Sequence, residues 1–375
     1  MKRVLHVSKY YYPFRGGTEQ IAQDCVMALK DTYEQKIFCF NHEPGDCYDE
    51  AEGIEVVRSG CFAKISSQSL SFSYGKMLKK TMEEFNPDIV IFHYPNPFSA
   101  HYILKYLKKD TKLVIYWHLD IVKQTFIRKF FKSQNYKLIE RADKIIATSP
   151  NYVEGSFWMK QVRDKCVVIP NCINVGRFER TVAVDKIEKK IKAENEGKII
   201  CLAVGRHTEY KGFKYLIEAS TLLDDRFRIY ITGKGELTEE LKKQAIGDKK
   251  IKFLGLVSDD ELKAYMSAMD IFCFSSITKN EAFGLALAEG MYYGKPPVTF
   301  TIEGSGVNYV SLNGVTGIEV PNRDVKAYAE AMKKLADDKE LREKYGKAAK
   351  QRVVDNFLDD AFAENVRREI NEVMR

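Results

Sequence analysis

At 375 residues the chain is long for one hydrophobic core and comfortable for two domains. Its 45% hydrophobic and 12% aromatic content excludes a disordered chain, and no stretch approaches the ~18 continuous apolar residues of a membrane span. The net charge of +7 is concentrated, with 13 Lys/Arg against 6 Asp/Glu between Cys61 and Glu140, so the remainder is close to neutral.

The eight cysteines are scattered, with no paired spacing, and several fall inside apolar runs that read as strands. That pattern predicts reduced thiols in a cytoplasmic protein. The start, MKRVLHVSKYYYPF, has no apolar core long enough for a signal peptide, so neither secretion nor membrane insertion is expected.

In chain order, RVLHVS (3–8) reads as a strand, followed by a Gly-Gly turn and a helix over 18–31. Strands are predicted at 36–41 and 54–59, a helix at 74–84, a strand at 88–94, a helix near 99–109 and a strand at 112–118. A long basic helix, strand 144–149 and strand 166–171 close this half. The stretch 175–198, highly charged and weakly periodic, reads as a linker. The pattern then restarts with strand 199–205, helix 213–223, strand 228–233, helix 239–244, strand 250–255, helix 259–269 and strand 271–276. A helix over 283–294 and a short strand at 316–321 follow, and a final helix after Asn356 has no strand to succeed it. Alternation of this kind implies parallel sheets covered by helices on both faces. Two α/β domains in series are expected, with the last helix crossing back onto the first.

Ligands of open parallel sheets bind beyond the carboxyl ends of the strands, and three such ends in the second half carry suggestive residues. GRHTEYKG places Arg206 and Lys211 five apart in a short loop, where a guanidinium fork and a mobile ammonium suit a diphosphate. GKGEL offers Gly233 and Gly235, which would let a base or ribose approach the backbone. SSITKNEAFGLALAEGMYYGKP places Glu281 before a helix and Glu289 two turns inside it, with Phe283, Gly284 and Leu285 at a helix N-terminus able to face phosphate. Acids eight residues apart on a helix lie ~12 Å apart, too far to share one bond as an acid/base dyad. Each reads either as a separate contact to an extended ligand or as a capping or solvated glutamate.

His118, at the end of the apolar run KLVIYW, reads as functional through its place at a strand end, and Asp120 two residues later reads as a helix cap. The helix spanning 123–137, QTFIRKFFKSQNYK at its centre, interleaves phenylalanines with lysines. It reads either as a membrane-surface docking face or as an ordinary amphipathic helix. Nucleic-acid binding is not expected, because the basic patch carries no nucleic-acid motif. A nicotinamide-type oxidoreductase is disfavoured by the lack of G-x-G-x-x-G after any strand.

The second half resembles the nucleotide-sugar domain of retaining glycosyltransferases of family 4 (glycosyl transferases group 1), and the similarity covers essentially the whole chain. The family's E-x7-E is matched by Glu281 and Glu289, its R-x4-K by Arg206 and Lys211, and its glycine loop by YYYPFRGGTEQ. HYPNPFS and WHLDIVKQ are similar to segments of bacterial O-antigen and capsule enzymes, mannosyltransferases in particular. The resemblance implies a GT-B fold, two Rossmann-like doubly wound domains facing across a cleft. The expected bounds are 1–176 plus 358–375 for the acceptor-side domain and 177–357 for the nucleotide-sugar domain.

It further implies that Glu281 contacts the donor sugar, Glu289 the ribose, and Arg206 with Lys211 the leaving diphosphate. Gly16 and Gly17 would approach that diphosphate from the other domain, and His118 would lie beside the transferred sugar. The implied donor is GDP-mannose, and the acceptor a glycan or polyprenyl-diphosphate-linked oligosaccharide. A UDP- or ADP-sugar transferase with a soluble acceptor and a non-catalytic sugar-nucleotide-binding protein are the alternatives. No cofactor or metal is expected, since the chain has no D-x-D and its cations can answer the diphosphate. One departure is Tyr309, where many relatives carry a glutamate beyond the glycine loop TIEGSG.

Overall fold

The computed structural model describes residues 1–14, 16–65, 68–121 and 125–375, with the backbone alone at Ile65 and at 125–130. The chain divides into two compact units, Met1–Asn171 with Asp359–Arg375, and Cys172–Leu358.

In the first unit, β1 (Arg3–Val7), β2 (Glu34–Phe40), β3 (Cys47–Ala51), β4 (Ile54–Ser59), β7 (Ile89–Tyr94), β8 (Lys112–Trp117), β9 (Lys144–Ala147) and β10 (Cys166–Val168) form one sheet. A separate hairpin pairs β5 (Ala63–Ile65) with β6 (Gln68–Leu70). The sheet order is β10-β9-β8-β7-β1-β2-β4-β3. Every neighbouring pair is parallel except β3 with β4. Central strands covered on both faces read as continuous apolar runs, and every residue of β7 is buried. The edge strand β3 escaped the sequence reading because CYDEA carries three exposed polar residues, as a blunted sheet edge does. The helices are α1 (Gly17–Leu29), α2 (Tyr74–Phe85), α3 (Pro97–Tyr106), α4 (Thr125–Arg141) and α5 (Pro150–Gly155).

The second unit opens with α6 (Val182–Glu194), which corrects the expected linker. Thr181 caps it by accepting from Val184 N–H, and Val184, Ile187 and Ile191 make an apolar stripe at helical spacing. That stripe packs on α9 (Asp259–Ala268). Arg180 and Lys192 converge on Glu188, so the charge that hid the period is itself arranged on the helix.

The six-stranded sheet runs β13 (Ile251–Gly255), β12 (Phe227–Thr232), β11 (Ile199–Val204), β14 (Ile271–Phe274), β15 (Pro297–Phe300), β16 (Ile318–Val320), all parallel. Around it lie α7 (Phe213–Ser220), α8 (Thr238–Gln244), α10 (Leu285–Tyr292), α11 (Val307–Val310), α12 (Val325–Asp337) and α13 (Lys339–Asn356). The strand β15 and the helices α11 to α13 were not anticipated. Strand order reverses between β1 and β7 in one sheet and between β11 and β14 in the other, and ligands of such folds sit at those switch points.

The final helix α14 (Asp359–Val373) belongs to the first unit and packs on α1. Lys144 Nζ donates to Glu369 at 2.9 Å and to Glu372 at 2.8 Å, and Arg367 reaches the Ala28 carbonyl at 3.1 Å. None of the eight cysteines is in a disulfide. No helix among the described residues is long and apolar enough to cross a membrane.

Candidate active site

The second unit gathers its charged residues at the β11/β14 switch point. The loop after β11 is tied to the loop after β14 by two hydrogen bonds and one close backbone approach. Ser275 Oγ donates to the Lys211 carbonyl at 2.9 Å, and Ile277 N–H donates to the Tyr210 carbonyl at 2.9 Å. Gly212, at φ +64°, lies so close that a Cβ there would stand 2.1 Å from the Ser275 carbonyl oxygen. Only glycine satisfies both demands.

This fastening delivers Lys211 Nζ to the Glu281 carboxylate, where the two form a largely buried ion pair. Burial is the largest single influence and works against the ammonium, but the charge and hydrogen bond of Glu281 together with Tyr210 hold Lys211 above its ordinary range. Ser276 Oγ donates to the same carboxylate at 3.0 Å. Both bonds fall on Oε2, so Oε1 is the acceptor left for a ligand. The backbone of Glu281 is held as well, since Ser305 Oγ donates to its carbonyl and Gly306 N–H to that of Ala282 at 3.0 Å. In Gly304-Ser305-Gly306 the serine hydroxyl is therefore spent on positioning Glu281. Gly212, Ser275, Ser276 and Ser305 were all missed as positioning residues. The signal available was a pair of serines ending an otherwise apolar strand.

Arg206 is exposed, and its guanidinium has no side-chain partner among the described residues. Helix α10 starts at Leu285 behind Gly284, whose φ of +93° and lack of a side-chain cap leave first-turn N–H groups for solvent or ligand. Phe283 is 2% exposed and packs edge-on against Phe357, so its ring is core. Glu289 makes no hydrogen bond or ion pair among the described residues. Burial pushes its carboxyl up, opposed by the positive charges of Arg177 and Lys211.

Gly233 and Gly235 carry a packing demand that the sequence did not show. A Cβ on Gly233 would meet the Gly205 carbonyl oxygen at 1.9 Å, and one on Gly235 the His207 carbonyl oxygen at 2.4 Å. These glycines let the loop after β12 lie directly on the loop after β11, on either side of Arg206 in the chain.

In the first unit Gly16 is the extended N-cap of α1 and Gly17 its first residue. The Glu19 carboxylate occupies the space a Cβ on Gly16 would need. His118 follows β8 but is only 4% exposed, in a stack of rings with Tyr116 at 4.6 Å and His93 at 5.4 Å. His118 Nε2 and His93 Nδ1 share a hydrogen bond of 3.1 Å. His6 Nε2 contacts Gln35 Oε1 at 2.7 Å, and Gln35 donates its own amide to Val26 O, so His6 carries its proton on Nε2. Asp120 accepts from Trp117 Nε1 and Ser156 Oγ, each at 3.0 Å, and so braces the chain after β8, while the start of the helix it was expected to cap lies outside the described residues. Lys132 and Lys137 of the basic helix are exposed, whereas Lys123 and the side chains of Phe126, Ile127, Arg128, Lys129 and Phe130 lie outside the described residues.

Burial lowers His6 to about 4 and His118 to about 3, and pushes His93 well down, so the stack is neutral at physiological pH. Folded values below the unfolded value mean that stability is present above ~6.5 and lost as pH falls, because the unfolded chain takes up protons the folded one refuses. Moving from pH 7 to pH 5 is expected to cost roughly 3–4 kcal/mol through His6 and His118 together. Urea unfolding midpoints at the two pH values measure it, and a flat profile would contradict the buried neutral stack.

Residues 184–352 match the family Glycosyl transferases group 1, and residues 15–177 match Glycosyltransferase Family 4. Among curated proteins, the chain is 30% identical to the O-antigen chain mannosyltransferase C of Escherichia coli, over 96% of this chain and 95% of that one. It is also 30% identical to the D-rhamnosyltransferase WbpZ of Pseudomonas aeruginosa, over 93% and 91%. Among solved structures, Anabaena Alr3699/HepE in complex with UDP and glucose superposes with a TM-score of 0.79 at 16% identity, covering 99% of this chain and 100% of that one. The fold is the GT-B fold. The chain belongs to the family 4 glycosyltransferases of the glycosyl transferases group 1 type, and it is a glycosyltransferase.

Proposed function

We propose that this glycosyltransferase moves a hexose, mannose from GDP-mannose, with retention at the anomeric carbon, to a glycan or polyprenyl-diphosphate-linked acceptor in cell-surface polysaccharide assembly. The observation that carries the reading is the β11/β14 switch point. There a fixed Lys211–Glu281 pair with one open carboxylate oxygen stands beside an unpartnered Arg206 and an unpartnered Glu289. Cleaving a sugar–phosphate bond builds negative charge on the diphosphate and positive charge on the ring. Pre-placed cations and helix N–H groups answer the first without reorganising. In this reading Arg206, Lys211 and the α10 N-terminus take that load without a divalent ion, while Glu281 Oε1 takes the sugar hydroxyls and Glu289 the ribose. The same reading assigns Gly16, Gly17 and His118 of the first unit to the donor.

The choice of sugar leans on the similarity to a protein named for mannose transfer. The similar D-rhamnosyltransferase concerns a sugar lacking one hydroxyl of mannose, so the 6-position is the discriminating question. Peripheral membrane contact through the helix 123–137 belongs to the same reading, supported by the charge surplus around it.

The test is nucleoside diphosphate release with GDP-mannose, UDP-glucose and ADP-glucose, each with a polyprenyl-diphosphate-linked glycan, and product anomeric configuration by NMR. Release from GDP-mannose alone, with retention, is expected. Turnover of a UDP- or ADP-sugar would replace the donor assignment, an inverted product would remove the retaining mechanism, and no release from any of the three would overturn the proposed donor and acceptor.

A further inference from the structure

Arg58 is a charged residue at 2% exposure in a part of the first unit that the chemistry above does not use. It stands on β4, between β2 and the antiparallel edge strand β3. Its Nε–H donates to both oxygens of Asp49 on β3, at 3.2 and 3.0 Å. Its two remaining nitrogens turn inward to the loop after β1. Nη2 donates to the Tyr12 carbonyl at 2.5 Å and Nη1 to the Tyr11 carbonyl at 3.4 Å. The loop is held from two further sides. Phe14 N–H donates back to the Tyr11 carbonyl at 3.1 Å. The Tyr11 hydroxyl reaches Glu52 at 3.4 Å, and Gln23 of α1 donates to the other Glu52 oxygen at 2.6 Å.

A buried guanidinium is a poor source of net stability, because desolvation consumes most of what its partners return. It supplies geometry instead: a planar fork that fixes several acceptors at once. Here the acceptors are two consecutive carbonyls at the start of the segment that ends in Gly16 and Gly17, while Tyr12 and Phe14 on the same segment remain 43% and 36% exposed. The loop is thus open to solvent above and pinned below by one charged group.

We propose that Arg58 is a positioning residue for the donor diphosphate: braced by Asp49, it holds the Tyr11 and Tyr12 carbonyls and so sets where the Gly16–Gly17 backbone is presented. This inference rests on the reading of that glycine pair given above. A loop that contacts the second phosphate distinguishes nucleoside diphosphate from monophosphate, whereas base and ribose contacts in the second unit serve both ligands alike. Mispositioning the loop therefore erodes that discrimination and spares monophosphate binding.

The experiment is calorimetric titration of the full chain with GDP and GMP, and with the UDP/UMP and ADP/AMP pairs. Arg58→Lys keeps the charge but cannot bridge Asp49 and two carbonyls, so the ratio of diphosphate to monophosphate affinity is expected to narrow by about tenfold. Asp49→Asn weakens the brace and is expected to narrow it less, in the same direction. Asp49 is partly exposed, so this second variant carries the test should Arg58→Lys fail to fold. A wild-type ratio retained in Asp49→Asn and in folded Arg58→Lys would overturn the proposal. A wild-type protein that itself shows no preference for the diphosphate would overturn the proposed diphosphate contacts beneath it, those of Gly16 and Gly17 together with those of Arg206 and Lys211, a different failure with a different signature.

Discussion

Glu281→Gln is expected to lower turnover by about 10²- to 10³-fold, the loss seen when one preorganised polar contact to a transition state is removed. The structure makes this substitution the informative one. Glutamine keeps the volume and one acceptor, so the backbone contacts from Ser305 and Gly306 have no cause to change. It removes the negative charge that faces Lys211 and weakens the open Oε1 acceptor. Glu281→Ala does more, because it strands Lys211, whose side chain is 11% exposed, without its counter-charge. Breaking a buried pair by deleting one partner costs several kcal/mol; for this pair, which retains some solvent, a loss of roughly 2–4 kcal/mol in unfolding free energy is expected. Initial rates of nucleoside diphosphate release and urea unfolding separate the two effects. A glutamine variant with wild-type kcat would remove Glu281 from the chemistry, whatever the alanine variant does to stability.

The reason the Glu281 loop was legible at all is that its motif is local. Acid, glycine and helix occur within a dozen residues, and the alternation of strand and helix around them places the loop at a strand end. What was not legible is the fastening. Gly212 meets Ser275 across two strands separated by 63 positions in the chain, and nothing in either segment announces the partner. Gly233 and Gly235 were singled out for close approach to a ligand, but sequence could not show that another loop is also an approaching group. Periodicity failed at α6 for a related cause, since Arg180, Asp185, Glu188 and Lys192 dilute an apolar stripe of only three residues. His118 shows the converse limit. Its place after an apolar strand was plain, whereas its burial against His93 and Tyr116 depends on two strands brought side by side.

Arg206→Ala is expected to cost ~2–4 kcal/mol of transition-state stabilisation, about a 30- to 1000-fold fall in kcat/KM, with no change in the unfolding midpoint. The contrast with Glu281 follows from exposure. Arg206 has no side-chain partner to strand among the described residues, so its removal leaves no buried group unsatisfied. Lys211 is already committed to Glu281, and Arg206 opposes rather than supports its charge. A diphosphate bound between them, as proposed, would relieve that opposition and make the free guanidinium worth more in the complex than alone. Arg206→Lys keeps a positive charge but not the fork of donors, so it is expected to fall between wild type and alanine. Measuring kcat and KM for donor separately decides how Arg206 acts. Equal losses in kcat and kcat/KM would place its contact in the transition state, and a rise in KM alone would make it a ground-state anchor. A near-normal kcat/KM for Arg206→Ala would remove the β11 loop from diphosphate binding.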